Sequence, residues 1–105
     1  MRDSAVVRRR TTNGLSPTAV RLRLLRAAIY GENSVEFARR LNISVSRLLN
    51  MENGLPLSIS VANKIRAAVP GVSLDWLYHG DERALPMAMV DKLRAASAAL
   101  ERDAG

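Results

Sequence analysis

The chain has no cysteine and only one histidine, His79, and these absences exclude several kinds of chemistry. Without thiols it has no disulfide scaffold, no thiolate metal site and no cysteine nucleophile. A single histidine cannot build a metal cluster alone. The sequence also shows no nucleophile–base set, no phosphate-cradling glycine loop and no metal-ligand spacing. We therefore expect a protein that is not an enzyme and needs no cofactor.

Long apolar runs are also missing, and none approaches the roughly 20 residues that a membrane-spanning helix needs. The N-terminal arginines have no apolar signal core behind them. Both features lead us to expect a cytoplasmic protein with no membrane partner. Aromatic residues make up only 4% of a chain that is 48% hydrophobic, so aliphatic side chains must build most of the core. The length of 105 residues suits one domain.

Positive charge is plentiful and unevenly distributed. The formal net charge of +6 divides into +3 for residues 1–14, +4 for residues 15–80 and −1 for residues 81–105. The first of these segments lacks any periodicity and is rich in Arg, Thr and Asn, which predicts a flexible basic arm. A basic arm beside a basic domain favours a polyanionic partner such as nucleic acid.

Apolar residues at spacings of three and four, bracketed by capping residues and by Gly or Pro, predict an all-α fold without strands. Two helix starts stay open: Asn33 or Ser34 caps the second helix, and Ser58 or Ser60 caps the fourth. The predicted helices begin near residues 16, 33–34, 44, 58–60, 73 and 87, and they end near residues 31, 42, 53, 70, 80 and 102. The inward face of the fourth helix is predicted to contain Ile59, Ala62, Ile65 and Val69.

The second and third predicted helices, within residues 34–53, are short and joined by a tight turn at Asn42 and Ile43. So short a turn forces the two helices to cross steeply, and Ala38 is small where they would approach most closely. Ile43 fills the turn. This is the pattern of a helix-turn-helix, whose second helix can lie in the major groove of DNA. The residues predicted to close the junction are Leu41, Leu48 and Met51.

The runs SVEFARRLNISVSRLLNMENG, NKIRAAV and GVSLDWLYHGD occur in that order. Together they are similar to the Cro/C1 repressor-type (XRE-like) helix-turn-helix family, whose members typically show EFAxxLGVSxSxLSxxExG and, further on, SLDWLxxG. The resemblance covers residues 21–81. It implies a lambda-repressor-like bundle of five short helices plus a C-terminal helix, with the helix-turn-helix domain at 15–81 and an amphipathic C-terminal helix at 86–102.

The resemblance also implies a function, namely a repressor-type transcriptional regulator that binds double-stranded DNA. The start of the second helix would meet phosphate, and the solvent side of the third helix would face base edges. Asn suits adenine and Arg suits guanine, while basic residues on the arm suit phosphate or the minor groove. The implied DNA-binding residues are Ser34, Ser44, Val45, Ser46, Arg47, Leu49, Asn50 and Asn53, with Arg8, Arg9 and Arg10 on the arm.

Several positions depart from the family pattern. Ser34 stands where Gln is common, Leu49 stands where a polar residue is common, and the loop after Gly54 reads LPL instead of carrying Lys or Arg. The connection into the second helix is also longer than in the simplest members. An outward apolar set of Val45 and Leu49, extended by the leucines of the loop, Leu55 and Leu57, favours an alternative.

In this alternative, the helix-turn-helix is a protein-binding module that sequesters a transcription activator, an antiactivator with little DNA binding. The last helix has two interpretations as well. It packs back on the domain, or it pairs with a second copy to form a homodimer that reads two half-sites.

Overall fold

The computed structural model describes residues 16–104, which form six α-helices and contain no strand. The predicted all-α class is therefore confirmed. The helices pack around one core built almost wholly from aliphatic side chains, with Phe37 and Trp76 as its buried aromatic members. Their bounds are α1 Pro17–Ile29, α2 Ser34–Leu41, α3 Val45–Glu52, α4 Ile59–Ala68, α5 Leu74–His79 and α6 Met87–Ala104.

Side-chain caps begin the first five helices, as the sequence predicts. The two open starts are resolved in favour of the first candidate: Asn33 caps α2 and Ser58 caps α4. Asn42 ends α2 in the left-handed conformation, with φ of 56°, which Asn tolerates better than other non-glycine residues. The local capping signals thus place most helix ends correctly.

The inward face of α4 differs from the predicted one. Ile59 is 58% exposed, whereas Val61 is fully buried. Successive residues of a helix are about 100° apart, so a buried stripe that includes Val61 cannot also include Ile59. Leu57, just before the helix, is buried and fills this end of the core instead. Ala62, Ile65 and Val69 are buried as predicted.

The C-terminal helix α6 packs back on the domain, chiefly against α1. Its residues Met89, Val90 and Leu93 belong to the same core cluster as the first five helices. The interpretation that the last helix packs back on the domain therefore holds for the N-terminal half of α6. Even though α6 is 18 residues long, no helix within the described part of the chain is both long and apolar enough to cross a membrane.

The cap of α4 gives a direct stability test. The Ser58 hydroxyl accepts a hydrogen bond from the Val61 amide at 3.2 Å, and we expect Ser58→Ala to lower the free energy of unfolding by about 1 kcal/mol. Ser60 lies exposed at the second position of the same helix, so Ser60→Ala is the matched control and should change little. Urea denaturation measures both, and equal losses would contradict the assignment of the cap.

Candidate nucleic-acid interface

The helices α2 and α3 are locked together by their inward faces and by the turn between them. Phe37 and Leu41 of α2 and Leu48 of α3 are almost fully buried. The Ile43 amide donates a hydrogen bond to the Ala38 carbonyl at 3.0 Å, which closes the turn. The predicted junction is therefore present, and core packing holds the inward side of α3.

The opposite side of α3 faces solvent. Ser46, Arg47 and Asn50 are exposed, and Leu49 is 39% exposed among them. Asn50 follows Arg47 by three residues and Ser46 by four, so these side chains are neighbours on one helical face. Among the described residues Arg47 has no ion pair. Its guanidinium, the Asn50 amide and the Ser46 hydroxyl form a compact set of hydrogen-bonding groups.

Three other predicted DNA-binding residues of this segment have structural partners. The Ser44 hydroxyl caps α3 by accepting from the Arg47 amide at 3.1 Å. Val45 is half-buried and packs against the core, so it contributes less to the outer surface than the sequence suggests. The exposed Asn53 ends α3, and its Oδ1 accepts from Arg23 Nη2 at 2.8 Å.

The start of α2 is already occupied by local hydrogen bonds. The Ser34 amide donates to the Glu32 carbonyl at 3.0 Å, and the Glu36 amide donates to Asn33 Oδ1 at 2.9 Å. The Ser34 amide is therefore already used, and the half-buried Ser34 can bind a phosphate only through its side-chain hydroxyl. Fewer backbone amides are therefore free to bind phosphate at the start of α2 than the sequence implies.

Two arginines of α2 are paired within their own helix. Arg39 and Arg40 both donate to the Glu36 carboxylate, at 2.6 and 2.9 Å. The hydrogen bond from Arg39, followed by that from Arg40, lowers the pKa of Glu36 below its usual value. Glu36 therefore stays ionised at neutral pH and offsets part of the positive charge of α2. On the surface of the helix-turn-helix itself, Arg47 is left as the unpaired cation.

A buried ion pair that sequence reasoning missed holds α3 to α1. Glu52 is only 3% exposed, and its carboxylate accepts from Arg26 Nε at 2.8 Å and from Arg26 Nη2 at 3.0 Å. Arg26 Nη1 also donates to the Gly31 carbonyl at 2.7 Å. The sequence contains a signal for this pair. Glu52 directly follows the inward-facing Met51, and an acid in such a place requires a cationic partner because an unpaired buried charge is costly.

A second arginine of α1 reaches the C-terminal end of α3. Arg23 Nε donates to the Glu52 carbonyl at 3.0 Å, and its Nη2 donates to Asn53. A cation at the last carbonyls of a helix also interacts favourably with the helix dipole. Arg23 and Arg26 therefore form an arginine clamp that holds α3 from its C-terminal end, while the core holds its inward face.

The loop between α3 and α4 does not match the outward apolar set that the sequence suggests. Leu57 is buried, and its carbonyl accepts from the Tyr78 hydroxyl at 2.7 Å. Leu55 is exposed. Including Leu57 in the set was wrong, because this residue packs into the core. Leu49 and Leu55 remain exposed, and Ile59 is exposed as well.

The predicted contacts of Arg8, Arg9 and Arg10 lie outside the described residues. Within the described residues, no group of three or more His, Asp or Glu side chains is placed to hold a metal ion. Within the described residues, the candidate interface therefore consists of the outer face of α3 and Ser34, and the arginine clamp holds this face in place. The chain matches no protein-family model, and no curated protein or solved structure is significantly similar to it.

Proposed function

We propose that the protein is a sequence-specific DNA-binding regulator of transcription, of the repressor type, that reads the major groove with α3. The observation that carries the proposal is the outer face of α3. It presents Ser46, Arg47 and Asn50 to solvent on a helix that is clamped at its far end. A helix held in this way presents its polar side chains in a defined orientation, as base reading requires.

The exposed groups suit base edges in the major groove. Asn50 can form two hydrogen bonds with adenine, donating from its side-chain NH2 and accepting at its Oδ1, and Arg47 can donate two parallel hydrogen bonds to guanine. The hydroxyls of Ser46 and Ser34 suit either phosphate or base. Because few cations lie on this face, we expect Arg8, Arg9 and Arg10 to supply much of the phosphate binding. Affinity should then fall as salt rises.

We also propose that the protein belongs to the XRE-like family and that it forms a homodimer. The sequence resemblance supports a cytoplasmic member of the XRE-like family that acts without enzymatic chemistry. A repressor of this kind commonly binds as a dimer across two half-sites. The half-buried stripe at the C-terminal end of α6, with Ala96, Ser97 and Leu100, offers a surface for a second copy. Sedimentation equilibrium of the full chain measures this assembly.

Selection of bound DNA from a random pool tests the function directly. We expect a defined sequence to emerge and to give a discrete, salt-sensitive complex in a gel shift. Asn50→Ala and Arg47→Ala should each weaken binding to this sequence by about 1–3 kcal/mol. Both side chains are exposed, so circular dichroism should show a folded domain in each variant.

Arg102→Ala is the matched control, because Arg102 is an exposed cation on α6, far along the chain from the helix-turn-helix. It should leave recognition of the selected sequence unchanged. A pool that yields no sequence bound better than random DNA at moderate salt would refute the proposal, as would equal effects of Asn50→Ala and Arg102→Ala.

A second candidate function rests on the exposed apolar side chains. Leu49, Leu55 and Ile59 are 39%, 56% and 58% exposed, and large exposed aliphatics near a helix face favour protein contact. In this alternative, the domain sequesters a transcription activator and binds DNA little. Leu49→Asp should then abolish co-purification with the activator, whereas Arg47→Ala should not. The reverse pattern in the gel shift would favour DNA binding.

A further inference from the structure

A cleft lies where α1, α5 and α6 meet, away from the helix-turn-helix. Its volume is about 250 Å³, just below the range of about 300–1,000 Å³ that is usual for sites of drug-sized molecules, so it suits a smaller ligand. Its lining combines the apolar side chains of Leu24, Trp76 and Leu93 with charged side chains from three segments. The charged members are Arg21, Glu82 and Arg94.

The Arg21 guanidinium is only partly used by the protein. Its Nε donates to the Leu77 carbonyl at 2.9 Å, and within residues 16–104 its Nη1 and Nη2 groups have no acceptor. Arg21 is half-buried, and the loss of water around it lowers the pKa of the guanidinium. A partly dehydrated cation with free N–H donors favours an anion as its partner.

The other charges of the cleft leave this cation uncompensated. Arg94 Nη2 lies 3.2 Å from Glu82 Oε1, so these two charges pair with each other. Space beside Arg21 is kept open by Gly80, because a Cβ at this position would lie 3.1 Å from Arg21 Nη1. The lining therefore has one excess positive charge, on Arg21, beside apolar side chains. The absence of a side chain at Gly80 leaves space next to this charge.

We propose that this cleft binds a small organic monocarboxylate with a short apolar chain. The carboxylate accepts hydrogen bonds from the Nη groups of Arg21, and the hydrocarbon lies against the half-buried Leu24 and the small exposed parts of Trp76 and Leu93. A neutral molecule would leave the positive charge of the guanidinium uncompensated. A multiply charged phosphate would meet a single excess charge and an apolar wall.

Binding of the proposed ligand would affect the position of α6. Leu93 and Arg94 belong to α6, whereas Arg21 belongs to α1 and Trp76 to α5. A molecule in the cleft contacts all three helices and therefore stabilises the docked α6, which makes the cleft a candidate effector site. The inference does not depend on the DNA-binding proposal, because no residue of the outer face of α3 takes part.

Trp76 is the only tryptophan in the chain, so intrinsic fluorescence reports on the cleft directly. We use hexanoate as the probe, because it does not absorb where tryptophan does. We expect a saturable fluorescence change with a Kd on the order of 1 mM, as suits a ligand of this size. Hexan-1-ol, with the same chain but no charge, should give no saturable change, and neither should sodium chloride at the same ionic strength.

Arg21→Met should weaken hexanoate binding by about tenfold or more, since it removes a charge-assisted pair of hydrogen bonds. Arg66→Met is the matched control: Arg66 is an exposed arginine on α4 and should leave the Kd unchanged. If Arg21→Met fails to fold, amide NMR of the unaltered protein decides the question. Hexanoate should then shift the amides of Gly80 and Ser97, which also line the cleft, and the Trp76 indole, with little change on α3.

Three results would overturn the proposal. The first is no saturation by about 50 mM hexanoate, which is far above the expected Kd. The others are equal responses to hexanoate and hexan-1-ol, and the same Kd for hexanoate in Arg21→Met and Arg66→Met. Neither the fluorescence nor the NMR sample contains DNA. Failure of this inference is therefore distinguishable from failure of the gel-shift experiment.

Discussion

Phe37→Asp is expected to unfold the domain. Phe37 has no exposed surface, and its ring stacks on Tyr30 with the ring centres 4.8 Å apart. Loss of a buried phenylalanine alone costs about 3–5 kcal/mol, and an unpaired carboxylate in the same place adds several more. The total of about 5 kcal/mol or more reaches the whole stability of a typical small domain.

Val35→Asp is the matched control for this variant. Val35 lies two residues away on the same helix but is 64% exposed, and a surface change of this kind usually alters stability by about 0.5 kcal/mol or less. A negative charge in the first turn of a helix is also favourable. Far-ultraviolet circular dichroism and urea denaturation measure both variants. A cooperative unfolding transition for Phe37→Asp, close to that of Val35→Asp, would show that α2 is not packed as described.

Arg26→Met is expected to give the second large effect, a loss of about 3–5 kcal/mol in the free energy of unfolding. Methionine keeps much of the side-chain volume but removes the cation, which leaves the Glu52 carboxylate buried without its partner. Because this pair also joins α1 to the C-terminal end of α3, DNA affinity should fall even at temperatures where the variant remains folded. Denaturant midpoints and the gel shift give the two readouts.

The double variant Arg26→Met/Glu52→Met separates a buried ion pair from simple loss of packing. With both charges gone, no unpaired charge is buried, and apolar replacement of such pairs is often close to neutral. We therefore expect the double variant to be more stable than Arg26→Met alone. Arg83→Met serves as the control, since it breaks an exposed pair with Asp81 and should barely move the unfolding midpoint. Additive losses in the double variant would contradict the buried pair.

Most of the fold could be predicted from the sequence because its signals are local. The signals at the helix ends each depend on residues within one helical turn: the caps at Ser16, Ser44 and Ser73, the left-handed turn at Asn42 and the stop at Gly80. The apolar spacing of α2 and α3 likewise identified Ala38, Leu41, Leu48 and Met51 as residues of the junction, and all are buried. Local pattern and capping agree here, so the helix-turn-helix was predictable.

The outer face of α3 was predicted less completely. Ser46, Arg47 and Asn50 are exposed as expected, because each lies opposite the apolar stripe of its own helix. Val45 and Asn53 were expected on the same surface, yet one packs partly on the core and the other accepts a bond from Arg23. Helical periodicity assigns a side to each residue, but it does not reveal what a neighbouring helix places there.

The sequence by itself therefore determined the all-α class, the helix ends and the inward face of the helix-turn-helix. Tertiary structure alone decided the partners of the charged residues: Arg26 and Glu52 are 26 positions apart, and Arg23 and Asn53 are 30 apart. It also placed Leu57 inside and Ile59 outside, and it brought Arg21, Trp76 and Leu93 around one cleft. The physical reason is that capping and periodicity act within one helical turn, whereas pairing of charges and filling of the core depend on how whole helices pack.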